Sequence, residues 1–281
     1  MYEFFYMDLN SLDISEMRLK VLSVWWCFKE CINGSWVKIL APNLQFIIWG
    51  YNAITENCSM QSFPRLKRSF MWSRNRGPIT KTKINTNGVV DLLSGSSQVE
   101  VLTISYNYLQ FLSETYFELG GLPFSFMKLE TLRIKNPSCR LNKRYIPGIA
   151  CLFKSSPKVH TLEICFSDSF RGKGKVNDKW NNILLDDSNC TEEQFWETQA
   201  QNFSPFLSHL KVANIEVGKN SINFAKFLLK YGRGLQEVIL SFREGRSTLL
   251  PNSLNDTIDL LKGFPRASAY VKFSISCSSM Y

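Results

Sequence analysis

Val99-Glu100-Val101-Leu102-Thr103-Ile104 decides the fold. It reads apolar-x-x-apolar-x-apolar. The same phrase returns at Leu19–Val24, Leu129–Ile134 and Val159–Ile164, with looser copies starting at Leu44, Leu66, Leu210 and Leu235. The starts are 25, 22, 33, 30, 30, 51 and 25 residues apart. A phrase that recurs at roughly 20–30 residues marks a repeat protein, in which each unit buries its apolar phrase against its neighbours.

The last four residues of each phrase alternate apolar and polar, which predicts a half-buried strand. Turn clusters precede it: Ala41-Pro42-Asn43, Ser94-Gly95-Ser96-Ser97, Ser155-Ser156-Pro157 and Tyr231-Gly232-Arg233-Gly234. Helix-like apolar stretches come before two of these turns, at Ile149 to Phe153 and Phe224 to Leu229. Helix, turn and strand make one leucine-rich-repeat unit entered at its helix. The expected fold class is α/β, a leucine-rich-repeat solenoid of irregular repeats. Its parallel strands would line a concave face, with helices or irregular segments outside.

The longest gap between phrases runs from Ile164 to Leu210. It holds a basic glycine loop, Arg171-Gly172-Lys173-Gly174-Lys175, and an acidic stretch, Asp186 to Asn189. A helix is expected next, with Thr191 as N-cap and Gln194 as its reciprocal partner, ahead of Phe195 and Trp196. This divides the chain into a repeat region, 1–185, and a second α/β region, 186–281, that continues the stack. In the second region strands are expected at Leu210 to Val217, Leu235 to Phe242 and Tyr270 to Ser276. A helix is expected at Asn223 to Tyr231, stopped near Gly232.

At this point the residues resemble a known family. Phe195-Trp196-Glu197-Thr198-Gln199, Leu207 to Ile215, Phe224 to Tyr231, Leu235 to Ile239 and Gly263-Phe264-Pro265-Arg266-Ala267-Ser268 are similar, in that order, to the FBD region of plant F-box/leucine-rich-repeat proteins. Leu40 to Leu44, Phe126 to Leu132 and Leu152 to Leu162 look like the repeats of that family. The resemblance implies a non-catalytic substrate-recruiting subunit of an SCF ubiquitin ligase. In such proteins an N-terminal F-box docks the adaptor and the repeats capture the substrate. Nothing before Met17 is long enough for a three-helix F-box, so adaptor and cullin are expected partners only if an F-box lies upstream. The partner expected of the repeats is a protein substrate.

Composition bounds the alternatives. Apolar residues make up 44% of the 281, which excludes a disordered chain. No run approaches the roughly 18–20 apolar residues of a membrane span, and Met1 to Asn10 lacks the basic and apolar segments of a secretory signal. An intracellular protein, nuclear or cytoplasmic, is expected, and the eight cysteines are expected as reduced thiols. Cys27-x-x-x-Cys31 has no second ligand pair at zinc spacing, so neither metal nor cofactor is expected.

Catalytic signals are poor, and no catalytic residue is assigned. His160 and His209 are the two histidines, and both lie in or beside strand phrases. Asp186-Asp187 and Glu192-Glu193 are sequence neighbours whose side chains diverge on a helix.

If positions one, four and six of the phrase point inward, position five faces solvent on the strand face. That selects Ser23, Ile48, Phe70, Thr103, Arg133, Glu163 and Asn214 as candidate partner-binding residues, with Ser105, Lys135 and Cys165 added from position seven. Phe70 and Arg133 are the expected anchors. The net charge of +9 permits an anionic partner. Arg65, Lys67, Arg68, Arg74 and Arg76, with Phe70 and Trp72 interleaved, form a candidate anion-binding stretch within Arg65–Lys83, and Arg171–Lys175 a second. Nucleic acid is the less favoured partner. Trp25, Trp26, Trp36 and Trp49 are read mainly as core.

Overall fold

The computed structural model describes residues 1–29, 34–61, 63–73, 86–135, 145–164, 191–216, 221–243 and 251–278. It is a mixed α/β structure, and the strand pairings described are all parallel. The chain divides into two compact units, one of Met1–Arg133 with Pro147–Ser156, the other of Ile134–Ile146 with Pro157–Tyr281. The boundary expected at 185/186 lies outside the described residues.

In the first unit, strands β1 (Tyr2–Phe5), β3 (Val21–Trp25), β5 (Phe46–Asn52), β7 (Arg68–Ser73) and β8 (Val101–Ser105) pair in that order. Each phrase enters its strand through a tight turn. Leu44 N–H donates to Ala41 O at 2.9 Å, Leu66 N–H to Phe63 O at 3.0 Å, and Val99 N–H to Ser96 O at 3.1 Å. The position-two carbonyl then accepts two N–H groups from the next repeat. Lys20 O takes Gln45 and Phe46 (2.8 and 3.0 Å), Gln45 O takes Lys67 and Arg68, and Lys67 O takes Glu100 and Val101. This double acceptance fixes the register, so equivalent positions fall directly beside each other.

Register decides burial. Leu19, Leu22 and Val24 are buried, as are Leu44, Ile47 and Trp49, Leu66, Ser69 and Met71, and Val99, Leu102 and Ile104. Positions one, four and six therefore face the core wherever the phrase occurs in this unit. Ser69, the polar member, is satisfied by Ser96 Oγ at 3.2 Å.

The outer layer differs from expectation. Between the first strands the chain forms not helices but a second parallel sheet, β2 (Ser11–Ser15), β4 (Trp36–Leu40) and β6 (Asn57–Met60). Leu12-x-Ile14 and Val37-x-Ile39 alternate and bury their apolar members. Among the described residues, the first helices are α1 (Thr86–Gly95), α2 (Tyr106–Leu119) and α3 (Ile146–Ser155). The α2 and α3 backbones come close at Gly148, where a Cβ would lie 2.1 Å from Leu109 O. Ser113 Oγ bridges the two helices, accepting from Gly148 N–H at 2.9 Å and donating to Leu109 O at 2.8 Å. Gly120 caps α2 with φ 70°, and Lys154 Nζ donates to its carbonyl at 2.6 Å.

The second unit repeats the rule. Strands β10 (Thr161–Ile164), β11 (Val212–Glu216), β12 (Glu237–Arg243) and β13 (Lys272–Ser278) pair in sequence order. His160 O accepts from Lys211 and Val212 (2.8 and 3.0 Å), and Lys211 O from Gln236 and Glu237 (2.8 and 3.0 Å). Val159, Leu162, Ile164, Leu210, Ala213, Ile215, Leu235, Val238 and Leu240 are all buried. β9 (Thr131–Lys135) is divided between the units, and its Leu132 and Ile134 are buried in the same way.

Helix α4 (Glu192–Gln199) starts as expected: Gln194 N–H donates to Thr191 Oγ1 at 3.2 Å and Thr191 N–H to Gln194 Oε1 at 2.8 Å. Then come α5 (Ser204–His209), α6 (Ser221–Tyr231) and α7 (Pro251–Lys262). α6 is followed by Gly232, where only glycine fits, since a Cβ there would meet Leu228 O at 2.5 Å. No helix among the described residues is long and apolar enough to cross a membrane.

Asn52 binds two repeats together. It is fully buried. Its Oδ1 accepts from Cys27 N–H (2.8 Å) and Phe28 N–H (3.2 Å), and its Nδ2 donates to Val24 O (2.9 Å). Asn52→Ala strands all three partners without water and is expected to lower the unfolding free energy by about 2–4 kcal/mol, measured by urea denaturation.

Candidate recognition surface

The parallel register brings Ser23, Ile48, Phe70 and Thr103 side by side in the first unit. In the second unit it brings together Glu163, Asn214, Ile239 and Ser274. The candidates are not equally available. Ile48, Phe70, Arg133, Glu163 and Asn214 are half-buried, but Ser23 (4% exposed) and Thr103 (7%) are buried, against the expectation that position five faces solvent. Trp25 explains Ser23: its Nε1–H donates to Ser23 Oγ at 2.8 Å, so the indole is held over the serine. At position seven, Ser105 is also buried, where its Oγ accepts from Ser73 N–H at 3.2 Å. Lys135 Nζ lies 3.9 Å from Glu163 Oε2. Arg65, Lys67 and Arg68 are exposed. Arg74, Arg76, Cys165 and the Arg171–Lys175 loop lie outside the described residues.

The most distinctive part of the strand face is one the position-five reading missed. Tyr6, Trp26 and Tyr51 follow β1 and β3 and fall near the end of β5, one residue beyond position seven. Their backbones share a left-handed conformation, with φ 52°, 51° and 54°. Such a conformation costs a residue with a Cβ about 1–2 kcal/mol. Their rings stack in order, Tyr6 on Trp26 at 4.9 Å and Trp26 on Tyr51 at 4.5 Å, each pair within 10° of parallel. The separations match the spacing of about 4.7–4.9 Å between strands, because the register sets one residue beside the next.

The left-handed residue also shifts the side-chain alternation by one, which brings position nine inward. Cys27 and Asn52 are the buried residues that result. At β5 the shift appears as a register irregularity between Gly50 and Asn52.

A second row lies beside the stack. Trp25 is 6.2 Å from Phe70, and Phe70 stacks on Trp72 at 5.2 Å and 19°. Trp25 occupies the space over Gly50, where a Cβ would meet its ring carbons at 2.1 to 2.6 Å. Trp25 and Trp26 are thus half-buried surface residues, Trp36 is exposed, and of the four early tryptophans only Trp49 is core. The missed signal was the repetition itself: aromatics at positions seven and eight of one phrase, and Gly50-Tyr51 at the same positions of the next.

In the second unit, the pieces that carried the family resemblance meet at one shallow cleft. Trp196 from α4, Phe227 and Tyr231 from α6, and Phe264 line it together with Lys226, Lys230, Glu193 and Glu197. Trp196 stacks on Phe227 at 5.2 Å, and Lys230 pairs with Glu197.

The titratable groups elsewhere are set by burial. It pushes the thiols of Cys58 and Cys151 up to about 12, so both hold their protons. His160 and His209 lie with ring centroids 6.4 Å apart, and His209 Nδ1 is 2.8 Å from Pro205 O. Glu114, half-buried on α2, is raised to about 7, first by desolvation and then by Glu118.

No family model matches the chain. It is 29% identical over 274 residues to a putative F-box/FBD/LRR-repeat protein of Arabidopsis thaliana, an alignment covering 95% of this chain and 52% of that protein. It is 28% identical over 134 residues to a putative F-box/LRR-repeat protein of the same plant, covering 46% of this chain and 28% of that protein. The chain spans about half the length of the first relative. Its sequence is thus similar to plant proteins named for F-box, FBD and leucine-rich-repeat regions.

Two outcomes follow from this geometry. Gly50→Ala drives a Cβ into the Trp25 ring. It should shift the tryptophan emission and lower stability by about 1–3 kcal/mol, read by fluorescence-monitored unfolding. Glu114 contributes stability in full below its unfolded value of 4.5, and that contribution is lost as pH rises through about 7. Melting temperature should therefore fall across that window in the parent chain more than in Glu114→Gln, as calorimetry at several pH values would measure.

Proposed function

We propose that this chain is a non-catalytic protein-recognition module, the substrate-binding part of an F-box subunit of an SCF ubiquitin ligase. In this reading the strands line the concave face of an irregular leucine-rich-repeat solenoid, and the second unit is its FBD-like end. The face holds a partner protein, and the module performs no bond chemistry of its own. Adaptor and cullin join only through an F-box carried upstream.

One observation supports the reading above the others. Positions one, four and six are buried in phrase after phrase, which leaves Ile48 and Phe70 in the first unit and Glu163, Asn214 and Ile239 in the second half-exposed at matched register positions. Solenoids present partners with such a surface. The named relatives carry F-box and repeat regions, which is consistent with it.

A second reading is binding of nucleic acid or another anion by Arg65, Lys67 and Arg68, exposed beside Phe70 and Trp72. Such binding would weaken by orders of magnitude as salt rises, whereas a protein receptor would be far less salt-sensitive.

The test is photo-crosslinking from Ile48 and from Ile239 in the native full-length product. The expected outcome is one specific captured protein whose level rises when the proteasome is blocked, with the adaptor co-purifying. Capture without the adaptor would keep recognition and remove ligase docking. Crosslinks to no protein, or to oligonucleotide alone, would overturn the recognition reading.

A further inference from the structure

We propose that the aromatic end of the first unit's strand face, built from Tyr6, Trp25, Trp26, Tyr51, Phe70 and Trp72, anchors an extended acidic segment of the partner protein. This rests on the recognition reading above and narrows it to one place and one chemistry.

The site is built at an energetic cost. Three left-handed backbones in a row are strained for side chains of this size, and glycine would remove the strain. Strain of this kind clusters where structure serves a site. Here the gain is a rigid bank of rings: Trp26 has both faces covered, by Tyr6 and by Tyr51, and Phe70 and Trp72 cover each other.

That stacking defines the ligand. Trp26, covered on both faces, leaves no room for an inserted nucleobase, which needs an open ring to stack on, and only the outer face of Tyr6, at the sheet edge and 71% exposed, stays open. What the bank presents is edges, and an aromatic edge carries the positive end of the ring quadrupole. Among the described residues, nothing accepts a hydrogen bond from Tyr6 Oη, Tyr51 Oη or Trp26 Nε1. Ring edges and unpaired donors together call for an acceptor, either a carboxylate or the carbonyls of an extended backbone.

The basic charge comes from the other end of these strands. Lys20, Lys67 and Arg68 are exposed there, with Glu3 on β1, Glu16 before β3 and Glu100 before β8 as acidic neighbours, while beside Tyr6 the carboxylate of Asp8 is paired with Lys29 at 2.9 Å. Arg68 and Trp72 are four residues apart on β7, about 13 Å at a strand's rise. A segment of comparable length could lay an acidic side chain on Arg68, an apolar one on Ile48 and Phe70, and its carbonyls on the ring edges. Tyrosine and tryptophan suit this use because they bring large contact area at small entropic cost.

The experiment measures fluorescence anisotropy of a labelled short peptide of alternating Asp and Leu, its Lys-for-Asp counterpart, and a labelled oligo-dT of matched length. Binding is measured to the parent chain, Tyr6→Gly, Trp26→Gly and Arg68→Glu. Glycine tolerates the left-handed backbone while removing the side chain, and a melting curve for each variant confirms that the fold is retained. The acidic peptide should bind the parent chain, bind each variant about tenfold more weakly, and bind better than the lysine peptide. Equal binding by the folded variants, equal binding of the lysine peptide, or tighter binding of oligo-dT would overturn the proposal. If crosslinking from Ile239 still captures a partner in Trp26→Gly and the acidic peptide never binds, the recognition reading stands and this assignment fails. If neither occurs, both fail.

Discussion

One carbonyl per repeat controls much of this structure. The backbone oxygen at position two accepts the N–H groups of positions two and three in the next repeat, from Lys20 to Gln45 to Lys67 in the first unit and from His160 to Lys211 in the second. A parallel strand is long-range in sequence and needs something to hold it against a slip. A slip of one residue would move the whole apolar set to the wrong face. The tight turn before each phrase delivers these N–H groups, and burial of positions one, four and six makes the register energetically distinct from its neighbours.

Register then converts sequence similarity into columns of touching side chains. Tyr6, Trp26 and Tyr51 stack because they occupy one column, with separations set by the strands rather than by any preference of the rings. The left-handed turn that holds Trp26 and Tyr51 outside also carries the following residue, Cys27 or Asn52, inside. At Asn52 that residue supplies three buried hydrogen bonds to the preceding repeat. The strain on the surface and the polar link in the core are two consequences of a single backbone change. A substitution that relaxed the turn would therefore disturb both.

Much of this was legible in the residues. The phrase located β3, β5, β7, β8, β9, β10, β11 and β12, and its inward positions are buried at each. Thr191 and Gln194 located the start of α4, since a capping box is a local signal that needs no tertiary context. The second sheet was harder to read. Leu12-x-Ile14 and Val37-x-Ile39 are too short to separate a strand from an irregular segment by periodicity. α2 was hidden for another reason. It follows β8 without a loop, and Ser105 at its N-cap makes no side-chain cap bond; its Oγ accepts from Ser73 instead. The position-five column was overread. Whether a strand residue meets solvent depends on the rings beside it, and Trp25 settles the matter for Ser23.

The same backbone rule carries two different chemistries. In the first unit the outward columns hold Trp25, Phe70 and Trp72, with Gly50 leaving space for an indole. In the second unit the position-five column holds Glu163, Asn214, Ile239 and Ser274, and Glu237 lies two residues before Ile239 on β12. There Ser274 Oγ donates to Glu237 Oε1 at 2.8 Å, and Lys272 lies 3.6 Å from the same carboxylate. Asn214 Oδ1 is buried without a hydrogen-bond partner, which carries a desolvation cost. An aromatic surface gains from desolvating a partner, whereas a paired polar surface must replace bonds it already makes. If the strand face holds a partner as proposed, affinity is expected to concentrate on the aromatic columns, with the polar columns contributing discrimination between partners.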